Sequence, residues 1–160
     1  MCGRTSLFAP AADLRDRFEA AVPDDYQPRY NVAPSEPVEV ITNEAPDEID
    51  RFRWGLLPDW ADAEDAGFSN ARAETAAEKP AFEDAWASRP CLVLSSGVYD
   101  WKSVERGAKR PYRIYRADDV VFAMAGLWER RETPDGTLDT VTVLTTEPND
   151  VVEPIHHRMP

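Results

Sequence analysis

The chain has 160 residues, 42% of them apolar and 10% aromatic, which is enough for one domain with a core of its own and too few for two. Thirty Asp and Glu against 18 Lys and Arg leave a net charge of −12, so bulk positive charge is excluded as the source of any affinity for nucleic acid. No run approaches the roughly 18 apolar residues of a membrane span, and the N-terminus lacks a basic-then-apolar leader, so a soluble, cytoplasmic, monomeric protein without membrane contact is expected.

The acidic residues gather in stretches 43–50 and 58–65, and their excess predicts adaptation to high salt, where a densely charged surface stays hydrated. Residues 102–116 run the other way, with Lys102, Arg106, Lys109, Arg110, Arg113 and Arg116 against only Glu105. Such a strip reads first as a solvated hairpin and second as a track for phosphates.

In chain order, Leu14, Phe18 and Val22 at spacings of four predict an amphipathic helix over 11–21. Strands are predicted at 38–42 and 51–54 from their β-branched and aromatic content. Thr75-Ala76-Ala77-Glu78 has the spacing of a capping box, and a second helix is predicted over 80–87, with Pro80 at its first position and Phe82 and Trp86 on one face. Further strands are expected at 91–98, 112–115, 120–128 and 140–145, with Pro134-Asp135-Gly136 as a turn. Strands that follow one another without crossover helices predict an α+β fold: a single β-rich domain whose strands pack into a barrel-like core with a few short flanking helices.

Four residues can carry chemistry. Cys2 becomes the first residue once Met1 is removed, and then bears an amine and a thiol on adjacent carbons. An α-amino group titrates near ~7.7–8 and a thiol near ~8.5, so near neutrality the amine can attack an aldehyde and the sulfur can close the imine into a five-membered thiazolidine. Taken alone, Cys2 reads equally as a small residue beside a start codon. Asn70, in Ser69-Asn70-Ala71-Arg72-Ala73-Glu74-Thr75, offers an amide donor to an oxygen that develops charge. Asp100, after Gly97-Val98-Tyr99, is either a turn residue or a proton shuttle at a strand end. His156, in Ile155-His156-His157-Arg158-Met159-Pro160, suits acid/base work near neutrality. A zinc site from Cys2, Cys91, His156 and His157 lacks paired-cysteine spacing, so neither a metal nor a cofactor is expected.

Met1-Cys2-Gly3-Arg4, Arg29-Tyr30-Asn31-Val32-Ala33-Pro34, Trp54-Gly55-Leu56, Asn70-Ala71-Arg72-Ala73-Glu74-Thr75, Gly97-Val98-Tyr99-Asp100-Trp101 and Ile155-His156-His157-Arg158-Met159-Pro160 together resemble the SRAP family. The six motifs run in register through essentially the whole chain. The resemblance implies an abasic-site processing protein, nucleoid-associated on damage. Its partner would be single-stranded DNA containing abasic sites, cross-linked through Cys2, with Asn70, Asp100 and His156 as the other catalytic residues. It also implies that Arg4, Arg72, Trp60 and Trp101 face the DNA, for which the alternative is packing in the core. Asp100 stands where the family usually has glutamate, and His157 where it often has aspartate. The family domain also continues past Arg-Met-Pro, so its C-terminal part is expected to be missing from 1–160.

Three rivals remain at this stage. Class II glutamine amidotransferase domains also begin Met-Cys-Gly, and a thiol peptidase could be built on Cys2 and His156. A non-catalytic single-strand binder would retain DNA without Cys2.

Overall fold

Runs rich in Val, Ile, Thr, Phe and Trp fold as strands, and strands make up most of the regular secondary structure. The computed structural model describes residues 3–62, 67–117, 121–134 and 136–160. Among them are ten strands, β1 Arg4–Leu7, β2 Arg29–Val32, β3 Pro37–Thr42, β4 Asp50–Trp54, β5 Asn70–Arg72, β6 Pro90–Ser95, β7 Gly97–Ser103, β8 Lys109–Ile114, β9 Phe122–Thr133 and β10 Gly136–Thr145. Two short helices, α1 Ala11–Phe18 and α2 Glu83–Ser88, flank them.

Strands β4, β3, β6, β9 and β10 pair in that order, and β10 returns to β4 in parallel, closing a five-stranded barrel. β5 continues alongside β10, also in parallel, placing Asn70 opposite Val143 and Arg72 opposite Thr145. A second sheet of order β2-β1-β7-β8 packs against the barrel. The α+β, barrel-centred expectation therefore holds, and the parallel pairs occur only between strands distant in sequence.

Period-two alternation explains which side of each barrel strand is filled. Val38, Val40, Phe52, Trp54, Val93, Met124, Trp128, Val141 and Val143 form the barrel interior, joined by Val32 and Val98 from the second sheet. Ile41 and Leu94 point outward and are covered by Leu14 and Phe18 of α1. Burying each such side chain contributes about 1.5–3 kcal/mol. The two interior indoles keep hydrogen-bond partners, Trp54 Nε1 donating to the Ser69 carbonyl (2.8 Å) and Trp128 Nε1 to Asn43 Oδ1 (3.0 Å).

Several elements differ from expectation. The apolar run 91–98 is two strands in two sheets, because the chain turns at Ser96, whose N–H donates to the Ser6 carbonyl (2.7 Å) while Ser95 Oγ accepts from Gly97 N–H (2.9 Å). Gly97 has φ +155, and a Cβ there would meet the Arg113 guanidinium at 2.9 to 3.1 Å. Strands β1, β2 and β5 were not expected: they are short and partly polar, and pairing with distant partners makes them strands.

α1 stops at Phe18, where Glu19 turns left-handed at φ 51. α2 starts at Glu83 with Phe82 as its N-cap, so Pro80 precedes the helix. Its inward residues are Phe82 and Ala85, whereas Trp86 is 41% exposed. Thr75 does precede a 3-10 turn, Ala76–Glu78, but its side chain makes no capping bond. Asp135 of the expected Pro134-Asp135-Gly136 turn lies outside the described residues, and the hairpin it belongs to pairs Thr133 with Gly136.

Candidate active site and nucleic-acid face

Cys2 lies outside the described residues. The described chain enters at Gly3 and goes directly into β1, where Arg4 pairs with Tyr99, the residue before Asp100. β1 thus lies beside the strand that carries the candidate acid.

Asp100 is 7% exposed. One carboxylate oxygen, Oδ1, accepts the N–H of Trp101 (2.8 Å), and the other lies 3.8 Å from His156 Nδ1. His156 follows β10 in a turn-rich segment in which its N–H donates to the Val152 carbonyl (2.9 Å). Its Nδ1 lies within hydrogen-bond reach of both the N–H (3.0 Å) and the carbonyl (3.3 Å) of Arg158, so the Arg158 backbone holds that edge of the ring. The ring stacks on His157 with centroids 4.3 Å apart. His157 titrates below its ordinary value, chiefly because His156 is so close, with some loss of hydration and the charges of Arg72 and Arg158 adding to the effect.

Asn70 opens β5 half-buried, its Nδ2 donating to Ser69 Oγ (3.2 Å). It lines a groove of about 450 Å³ together with Arg72, Trp60 and Phe68. Gly67 shapes this wall: at φ +70 it passes so close to Gly55 that a Cβ would sit 2.4 Å from the Gly55 carbonyl oxygen, and the adjoining Leu56–Phe68 bridge depends on that approach. Trp60 is 67% exposed and Trp101 36%, so neither packs in the core, a role taken by Trp54 and Trp128. Arg4 reaches Asn31 Oδ1 (2.9 Å) across β1 and β2.

The sequence-selected residues therefore fall into two groups, Asn70 with Arg72 and Trp60 in one groove, and Asp100 with His156, whose neighbour His157 feels the charge of Arg72. Cys91 belongs to neither: it is buried in the barrel core, and burial pushes its thiol up to about 12. Among the described residues no cluster of three or more His, Cys, Asp or Glu side chains could hold a metal ion, and no helix is long and apolar enough to cross a membrane.

The model of the family described as SOS response associated peptidase (SRAP) matches residues 1–160. The chain belongs to the SRAP family. It is 41% identical over 167 residues to the abasic site processing protein YoqW of Bacillus subtilis strain 168, covering all of this chain and 75% of that one. It is 32% identical over 173 residues to the abasic site processing protein YedK of Escherichia coli K12, covering all of this chain and 74% of that one. Among solved structures, a protein from Bacteroides thetaiotaomicron superposes with a TM-score of 0.88 at 31% identity, over 99% of this chain and 75% of that one.

Within this SRAP domain, sequence reasoning missed the residues that join the two groups. Arg158, only 8% exposed, grips both oxygens of Glu74 (Nη1–Oε1 2.9 Å, Nη2–Oε2 2.7 Å) and also donates to the Thr145 carbonyl. Both residues stand inside quoted motifs, so the signal was present, but their contact was not legible. Arg131 was missed as well. From β9 it donates to the Ala61 carbonyl, fixing the backbone next to Trp60.

Proposed function

We propose that this SRAP protein processes abasic sites in single-stranded DNA by forming a covalent thiazolidine cross-link through Cys2 once Met1 is removed, shielding the lesion during the DNA damage response. The observation that carries the reading is the approach of Asp100 to within 3.8 Å of His156, at the strand beside which the N-terminal β1 enters. The relatives named as abasic site processing proteins, at 32 to 41% identity over the whole chain, support it.

In this reading the neutral amine of Cys2 adds to the aldehyde carbon of the ring-opened sugar. Water leaves as the imine forms, the thiolate adds to the imine carbon, and the thiol proton ends on nitrogen. Asn70 donates to the oxygen under attack, and Asp100 relays the proton that the departing water needs. His156 acts as acid and base on the sugar oxygen through Nε2. Asp100 is shorter by one methylene than the family's usual glutamate and has one oxygen held by Trp101 N–H, so the working oxygen is the one facing His156. Arg4 and Arg72 are assigned to phosphates, and the exposed rings of Trp60 and Trp101 to bases flanking the gap. The domain is read as a single unit over 1–160, working without metal or cofactor.

The test is incubation of the mature protein with single-stranded DNA carrying one abasic site, followed by a denaturing gel. A shifted band is expected, and it should vanish with Cys2→Ala. DNA retention on native gels with no denaturant-resistant band in the unaltered protein would favour a non-covalent binder, and release of peptide or glutamine-derived ammonia would favour a hydrolase.

A further inference from the structure

We infer that the outer half of the β7–β8 hairpin is a phosphate-binding arm that holds the DNA strand as it leaves the site. The inference rests on the abasic-site reading and adds to it the surface that receives the backbone.

The hairpin is the exception in a protein of net charge −12. Its register pairs Asp100 with Tyr112, then Lys102 with Arg110, so by the alternation of a pleated strand Lys102 and Arg110 share the face that carries Asp100. They lie one two-residue repeat farther out, about 6.6 Å along the strand. That distance is on the order of one nucleotide step of an extended single strand, so a backbone anchored at Asp100 and His156 reaches the pair with its next phosphate.

The pairing itself points to an anion. Directly opposed residues on neighbouring strands have Cβ atoms about 5 Å apart, and like charges in that position repel. Among the described residues no carboxylate forms an ion pair with Lys102, Lys109 or Arg110. A phosphate seated between Lys102 and Arg110 converts the repulsion into two attractions. Arg113 is a different case despite its place in the same basic run. Its guanidinium donates to the Ser96 carbonyl and lies over the rings of Phe8 (5.0 Å) and Tyr115 (4.7 Å), so it serves the packing of the sheet.

The experiment compares K102Q/R110Q with R15Q/R17Q, in which the same number of positive charges is removed from the exposed face of α1. Reversible binding to single-stranded DNA is measured across a salt titration, with an uncleavable tetrahydrofuran analogue in place of the abasic sugar. Loss of two phosphate contacts lowers the slope of log affinity against log salt by about 1.4. The deficit of K102Q/R110Q relative to the parent should therefore shrink about sevenfold between 50 and 200 mM salt. R15Q/R17Q should keep the parental slope. Equal slopes in the two double variants, with the parent still cross-linking abasic DNA, would overturn the arm and leave the abasic-site reading standing. No cross-link by the parent would overturn both.

Discussion

Arg158 is tied to Glu74 through two parallel hydrogen bonds of 2.9 and 2.7 Å across 84 positions of sequence, and its own backbone N–H fixes Nδ1 of His156. One residue thus links the position of the histidine to the segment that follows the strand of Asn70. Glu74→Gln keeps the shape and removes the charge. We expect DNA affinity to hold while the cross-linking rate falls, by up to roughly a hundredfold if His156 moves about 1 Å. Rate measured at saturating DNA, set beside a binding isotherm, separates the two. An unchanged rate would remove Glu74 from any positioning role.

The same pair gives a pH dependence with a definite sign. Hydrogen bonds from Arg158 hold the Glu74 carboxyl down to about 2 from its ordinary 4.5. A lowered acid contributes its stabilisation fully above 4.5 and loses it as pH falls toward 2. The segment carrying His156 should stay docked at pH 4 and loosen only below about pH 3, and a carboxyl-detected NMR titration of Glu74 checks this. A midpoint near 4.5 would mean that the strut is not formed in solution.

His157 is held below its ordinary 6.5 mainly by His156. It should be neutral at pH 7, and replacing His156 by Gln should move its midpoint upward. Two-dimensional NMR of the imidazole protons reads both. A midpoint that stays where it was would show that His156 is not its principal neighbour.

Cys91, with its thiol near 12 and only 7% of its surface exposed, should be inert to alkylation in the native protein. Native iodoacetamide treatment followed by mass spectrometry should label Cys2 alone, and Cys91 only after denaturation. Native labelling of Cys91 would imply that the barrel opens at its β6–β9 seam.

Phe52 is 1% exposed, with its ring edge-to-face against Trp128 at 5.7 Å. Phe52→Ala should cost about 3–5 kcal/mol, read as a lowered midpoint in urea unfolding. A loss under 1 kcal/mol would place the barrel interior elsewhere.

The carboxylate-rich surface should make stability rise with salt. Unfolding curves in low and molar potassium chloride test it, and equal midpoints would dismiss high-salt adaptation.

What the sequence revealed was set by how local the determining interactions are. The β-branched runs of β3 and β10 and the aromatic alternation of β4 were legible because each pattern is its own signal. β1 and β5 were not, since Arg-Thr-Ser-Leu becomes a strand by pairing with β2 and with residues 91 to 95 positions on in β7, and Asn-Ala-Arg by pairing with residues 73 positions on in β10. The break between β6 and β7 was hidden because Ser95-Ser96-Gly97 turns by bonding to Ser6 and Ser95 rather than through a hairpin signature. For the site, the residue types at 70, 100 and 156 could be chosen by chemistry and family resemblance. The strut from Glu74 to Arg158 and the clamp of Arg131 on Ala61 are long-range contacts that no local pattern encodes.

The parallel return of β10 to β4 also bears on the order in which the molecule is made. Barrel closure, the seating of Asn70's strand and the carbonyl that receives Arg158 all depend on β10, the last of the described strands. Pairings of such wide sequence separation form late and slowly. In the proposed reading, the Cys2 aminothiol is therefore made well before the strand that completes the fold around Asn70. In the same reading, a half-folded copy carries the nucleophile without His156 in place, and covalent attachment to DNA waits on the step that completes the fold.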